Sequence, residues 1–187
     1  MSRSGQAQSF HFGLKGGVDL VTAYSKASNN ISFELGHDQS PILSYNANFV
    51  MEYHGVGKIG FTVEPGFIRK GYGFPNFSSE GIHKVYLSYI QVPVLMDYYM
   101  SDKFAVSAGM DLGIFVNHLS NDFYENFELS ALIGCKYKLS EHFDLGLRYG
   151  HGVTPSFKFH FTNANGNTVG QIRDFNQYLQ LSIAYIL

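Results

Sequence analysis

Tyr178-Leu179-Gln180-Leu181-Ser182-Ile183-Ala184-Tyr185-Ile186-Leu187 closes the chain, and its reading decides the fold. Leu179, Leu181, Ile183, Tyr185 and Leu187 fall on one parity, and Tyr178, Gln180, Ser182, Ala184 and Ile186 on the other. A period of two is the signature of a β-strand, because successive side chains leave a strand on opposite faces. The same alternation recurs upstream until eight strands account for the chain. Eight long strands with one greasy face predict an all-β fold, an eight-stranded antiparallel up-and-down transmembrane barrel.

The strands follow in order. The first covers about Phe10 to Val21, with Phe10, Phe12, Leu14, Val18 and Leu20 against His11, Lys15 and Asp19. The second sets Leu43, Tyr45, Ala47, Phe49, Met51 and Tyr53 against Ser44, Asn46, Asn48 and Glu52, and the third sets Ile59, Phe61, Val63 and Phe67 against Gly60, Thr62, Glu64 and Gly66. The fourth carries Ile90 to Tyr98 on the apolar parity with Gln91 and Asp97 opposite, and the fifth Phe104 to Val116 with Ser107 and Asp111 opposite. The sixth has Glu128, Ser130, Lys136 and Lys138 on its polar face, and the seventh Asp144 and Arg148. Short turns at Gly55-Val56-Gly57, Ser101-Asp102 and Ser140-Glu141 alternate with longer loops, one of them spanning about Gly71 to Gly81. Membrane barrels alternate in this way, with periplasmic turns and longer external loops, so both termini are expected in the periplasm. Pro65 and Pro93 interrupt strands that have no free edge, which predicts a bulge at each.

Composition agrees. Charged residues are only 15% of the chain, against about 25% in soluble domains. A net charge of −2 argues against a nucleic-acid partner, which would call for a clustered basic face. Cys135 is the single cysteine, so there is no intramolecular disulfide and no cysteine-rich metal site. No apolar run reaches the roughly 18 to 20 residues of a membrane helix, so a span must be β. Residues 1–9 carry no apolar signal core, and Gly5-Gln6-Ala7-Gln8-Ser9 resembles the flank of a signal-cleavage site. They are read as a residual cleavage region or an appended tail, and residues 10–187 as one barrel domain.

Parity alone does not say which face is outside, and a soluble lipocalin-like ligand-binding barrel would invert it. Three features favour the membrane. The polar faces hold both signs: Lys15, Lys136 and Arg148 against Asp19, Glu52, Glu64, Asp97, Asp111, Glu128 and Asp144, the set expected to form an ionic network filling the lumen. Glycines share that face, as a lumen with room only for side chains requires. Aromatics collect near the short turns, as in an interfacial girdle.

Three patterns carry a family resemblance: Phe12-Gly13-Leu14-Lys15-Gly16-Gly17, Lys70-Gly71, and Tyr89-Ile90-Gln91-Val92-Pro93, the last close to a Tyr-Leu-Glu-Ile-Pro pattern with Gln91 in place of glutamate. On these the chain resembles the small outer-membrane β-barrels of Bacteroidetes-type bacteria known as PorT-like or "porin family". The resemblance implies a Gram-negative outer-membrane location. It does not imply a pore, since eight strands enclose only side chains.

For chemistry, His118 and Ser120 on the outer parity, with Glu125 as orienter, form the candidate site for an alternative reading as a lipid A acyl hydrolase, because a serine nucleophile needs a base and a carboxylate behind it. The loop residues His37, Asp38, His83, His151 and His160 lack ligand spacing within one element, so neither a metal nor another cofactor is expected. The leading expectation is a non-enzymatic structural or accessory barrel. Its partners are outer-membrane lipid and lipopolysaccharide, with envelope or secretion-complex proteins bound through loops or turns. Tyr24, Tyr72, Phe74, Phe77, Phe123, Tyr124, Phe157, Phe159 and Phe161 are the aromatic candidates for such contacts.

Overall fold

The computed structural model describes residues 9–28, 39–55, 57–75, 81–116, 123–164 and 168–187. Ten strand segments build it: β1 Ser9–Ser28, β2 Ile42–His54, β3 Ile59–Val63, β4 Gly66–Pro75, β5 Ile82–Tyr99, β6 Phe104–Phe115, β7 Phe127–Lys138, β8 Phe143–Gly152, β9 Phe157–Thr162 and β10 Thr168–Ile186. β3 and β4 are two halves of one stave, lying between β2 and β5. β8 and β9 both pair with β10 and form another. β1 pairs with β2 on one side and β10 on the other, which closes eight antiparallel staves into a ring.

Side-chain parity is maintained around the ring. On β10, Leu179, Leu181, Ile183 and Tyr185 are exposed while Tyr178, Gln180, Ser182 and Ala184 are buried. Leu14, Phe49, Met110 and Ile133 project outward in the same way, and Lys15, Glu64, Asp97 and Arg148 point into the lumen. Large apolar side chains outside and ionised ones inside are the reverse of a soluble ligand-binding barrel, and that alternative is set aside.

At one end the connections are tight. The hydroxyl of Ser101 accepts the Phe104 N–H at 3.1 Å, and Ser140 accepts from the Phe143 N–H at 3.2 Å, so each serine closes its own turn. Gly57 takes φ +93° in the remaining turn. Ser9 and Leu187 also lie at this turn end. Phe10 stacks near Tyr53 at 4.9 Å and Phe143 near Tyr185 at 5.2 Å, forming an aromatic girdle around it.

Three expectations require correction. The prolines make no bulge. β2 keeps one register through Met51↔Val63 and Asn48↔Gly66, β5 keeps one through Val63↔Val94 and Gly66↔Gln91, and Pro93↔Asp111 lies in step on β6. The carbonyls of Pro65 and Pro93 still accept from the N–H groups of Phe49 and Glu64, each at 2.9 Å, so each proline loses only its own donor. Second, much of the expected loop from Gly71 to Gly81 is strand, with β4 running to Pro75 and β5 starting at Ile82. Beyond the lipid belt a strand needs no greasy outer face, so alternation fades while pairing continues. Third, the inner face is not polar throughout. Val21, Ile42, Ile68, Leu87, Tyr89 and Tyr178 pack together inside the barrel toward the loop end.

Glycine serves two purposes here. Gly71 has φ +134°, and a Cβ there would lie 2.0 Å from the Val85 carbonyl oxygen, so only glycine lets β4 hug β5. A Cβ on Gly150 would lie 2.3 Å from the Tyr178 ring, which instead reflects lumen packing.

Candidate functional site

The lumen is crossed by three tiers of ion pairs. Nearest the turn end, Lys136 on β7 reaches Glu52 on β2 at 2.7 Å, Asp97 on β5 at 2.9 Å and the Thr62 hydroxyl at 3.1 Å. Asp97 also accepts from the hydroxyls of Thr62 and Ser107. Asp144 lines the mouth beside this tier, and His54 contacts the Tyr99 hydroxyl at 2.9 Å. A vestibule of about 970 Å³ opens below it at the turn end.

The middle tier centres on Glu64. Arg148 donates two parallel bonds to its carboxylate at 2.7 and 2.9 Å, and Lys15 donates to the same group. A fork-on-carboxylate pairing of this kind fixes geometry as well as charge. Asp19 accepts from Asn46 at 2.9 Å and Gln180 at 3.1 Å, and the chain of amides continues through Asn48 to Gln91. The void beside Lys15, Glu64 and Arg148 measures about 20 Å³, roughly room for one water.

In the third tier Lys70 on β4 joins Glu128 at 2.7 Å and Asp111 at 3.2 Å. Ser130 and Asn176 also donate to Glu128. The rings of Tyr89 and Tyr178 flank the ammonium at 5.2 and 5.1 Å. All ten residues expected in the lumen face it, but only eight of them join the ionic network: Asp19 is held by the amides of Asn46 and Gln180, and Asp144 lines the mouth outside the ion pairs. The sequence reading missed Lys70, although its parity with Glu64 and Gly66 could have placed it.

Above the tiers an aromatic ladder runs outward. Ring centroids step from buried Tyr89 to Phe115 at 5.5 Å, Tyr124 at 5.7 Å, Phe157 at 5.4 Å, Phe123 at 6.1 Å, Phe159 at 5.3 Å and Phe161 at 4.9 Å. Elsewhere on the wall, Tyr72 lies 6.5 Å from Phe74, and Tyr24 stacks on Phe175 at 5.1 Å. Phe77 lies outside the described residues.

His118 and Ser120 also lie outside the described residues, as do His37 and Asp38. Glu125 forms an ion pair with Lys158 at 3.0 Å. His83 packs against Phe74, His151 contacts the Tyr24 hydroxyl at 3.1 Å, and His160 is exposed on β9. Among the described residues no three or more His, Cys, Asp or Glu side chains are grouped to hold a metal.

A family model described as "Outer membrane protein beta-barrel domain" matches residues 6–158, most of the chain. The chain belongs to this family of outer-membrane β-barrels. No curated protein sequence matches it significantly. Its fold is similar to OprG from Pseudomonas aeruginosa, with TM-score 0.52, 12% identity, and 95% of each chain covered. It is also similar to Neisserial surface protein A, with TM-score 0.53, 15% identity, and coverage of 96% of this chain and 99% of that one. Ail of Yersinia pestis, solved with the heparin analogue sucrose octasulfate, shares the fold at TM-score 0.50, 10% identity, and coverage of 95% and 99%. These likenesses are of fold. This outer-membrane barrel is thus placed by family and architecture together.

Proposed function

We propose that this barrel is a non-enzymatic, non-conducting accessory protein of the outer membrane, with both termini periplasmic and its loop-end wall binding envelope proteins. The observation that carries the reading is where the polar chemistry lies. Eight of the expected luminal charges, with Lys70, are engaged with one another in three tiers, and an apolar layer sits above them. Eight staves leave no room for a channel around such a filling. What the molecule offers to other molecules is its rim, where the aromatic ladder ends at Phe159 and Phe161. Aromatic side chains are enriched in protein contacts. The short turns and long connections support the orientation. The Phe12–Gly17, Lys70-Gly71 and Tyr89–Pro93 patterns support a PorT-like subgroup.

The test is gentle extraction of the tagged native protein from its own outer membrane in mild detergent, followed by mass spectrometry. The expected result is companions at fixed ratio, lost from a Phe159→Ser, Phe161→Ser variant. Recovery of the barrel alone with lipid would contradict the proposal.

A further inference from the structure

The vestibule at the turn end holds two imidazoles side by side. The β1–β2 register sets Ser9 opposite His54 and His11 opposite Glu52. His11 and His54 are therefore diagonal neighbours on the inward face, close enough for their rings to meet. Both line the vestibule, and their ring centroids lie 5.1 Å apart. His83, His142 and His151 pack instead on Phe74, Tyr185 and Tyr24.

The spacing of the pair suits one metal ion shared between two rings. A ring nitrogen binds zinc at about 2.0–2.1 Å, so two imidazoles at a tetrahedral or square angle hold their centroids roughly 4.5–5.2 Å apart. The contacts the rings make are exchangeable ones. His11 Nε2 meets the Ser9 hydroxyl at 3.0 Å, and His54 Nε2 meets the Tyr99 hydroxyl at 2.9 Å. Each hydroxyl can turn to water in the vestibule instead, and the broad outer torsion of histidine lets a nitrogen be re-aimed.

Charge favours a cation at the same place. Among the described residues Lys136 is the one lysine or arginine within salt-bridge reach of Glu52 and Asp97, and Asp144 adds a third carboxylate beside them. Glu52 Oε2 lies 3.5 Å from His54 Nε2. Glu52 and Asp97 are buried, whereas the lysines of the mouth, Lys58, Lys103 and Lys138, are exposed. Solvent and salt screen those lysines more than they screen the floor. The donor atoms then decide the ion. Imidazole nitrogen suits zinc, copper and nickel, whereas magnesium and calcium take oxygen. Two imidazoles leave the remaining positions to water, for which a vestibule of about 970 Å³ has room.

From this we infer that His11 and His54 form a two-imidazole binding site for a divalent transition ion of the zinc–copper class, open to exchange through the vestibule.

The test uses the refolded full chain in detergent, carrying no histidine tag. Calorimetric titration with zinc is expected to show a site that calcium and magnesium do not occupy. Copper at one equivalent should give an electron paramagnetic resonance spectrum split by two nitrogens. His11→Gln and His54→Gln should each weaken zinc binding by roughly tenfold or more, since even the outer-shell partners of a metal typically contribute 10–100-fold. His142→Gln, in the same vestibule but stacked on Tyr185, should bind as the parent does. Heat-modifiable migration checks that each variant is folded, and the nitrogen count on the unaltered protein needs no variant. Unchanged binding in both His11→Gln and His54→Gln, an equal loss in His142→Gln, or a copper spectrum with a single nitrogen would overturn the inference. Because the site is read in detergent, the result is independent of the barrel's orientation and of its accessory role.

Discussion

The lumen and the loop-end wall are built from the same strands but treat charge in opposite ways. Inside, Glu64 meets two cations and Lys70 meets two acids, each from staves across or around the barrel. Outside, Lys26, Arg173 and Lys158 stand side by side. The difference follows from solvent. A charge sealed among side chains must find its partner within the protein, whereas one on the rim can leave its partner to the surroundings. The filled interior thus reads as structure, and the rim is where the contacts proposed above would lie.

Removing Glu64 should break the comparison hardest. Glu64→Ala strands Lys15 and Arg148 in the lumen, and a buried pair broken on one side typically costs about 3–5 kcal/mol. Urea unfolding in detergent micelles, followed by tryptophan-free circular dichroism, should show that loss. A change below about 1 kcal/mol would mean that water already answers these charges.

Next comes the lipid belt. Val106→Lys and Ile183→Lys each place a charge on an exposed apolar stave and should cost about 2–4 kcal/mol for insertion into vesicles. Folding of both variants in buffer without detergent would refute the membrane-facing assignment. Gly150→Ala should follow at about 1–3 kcal/mol, because its Cβ would collide with the Tyr178 ring. A Tyr178→Leu background should relieve that penalty, as a double-mutant cycle would record.

The smallest effect belongs to the rim. Lys158 and Glu125 form a pair whose side chains are 36% and 39% exposed, so Glu125→Gln should shift stability by less than about 1 kcal/mol. A larger loss would mean that this corner is built more like the lumen than like a surface.

Much of this division was legible in the sequence, and the reasons differ by residue. The staves and their outward faces follow from alternation, since Leu179 and Gln180 cannot both face lipid. The inward set from Lys15 to Arg148 follows from the same parity. Which of its members touch does not, because partners such as Glu52 and Lys136 are distant in the chain and meet only through ring closure and stagger. Lys70 was overlooked because the pattern around it, Arg69-Lys70-Gly71, shows two adjacent cations and no greasy neighbour. The prolines misled for another reason. A missing N–H removes one ladder bond without altering the residue count, so register survives. The row of Lys26, Arg173 and Lys158 was invisible beforehand, since its existence depends on strand register beyond the apolar belt.

Planar-bilayer recording of the purified, refolded barrel tests the central claim most directly. A lumen closed by its three tiers of ion pairs predicts no stable conductance steps under voltage, with unstable leakage appearing only when Glu64 is replaced. Steady, uniform pore-like steps from the unaltered protein would contradict the account.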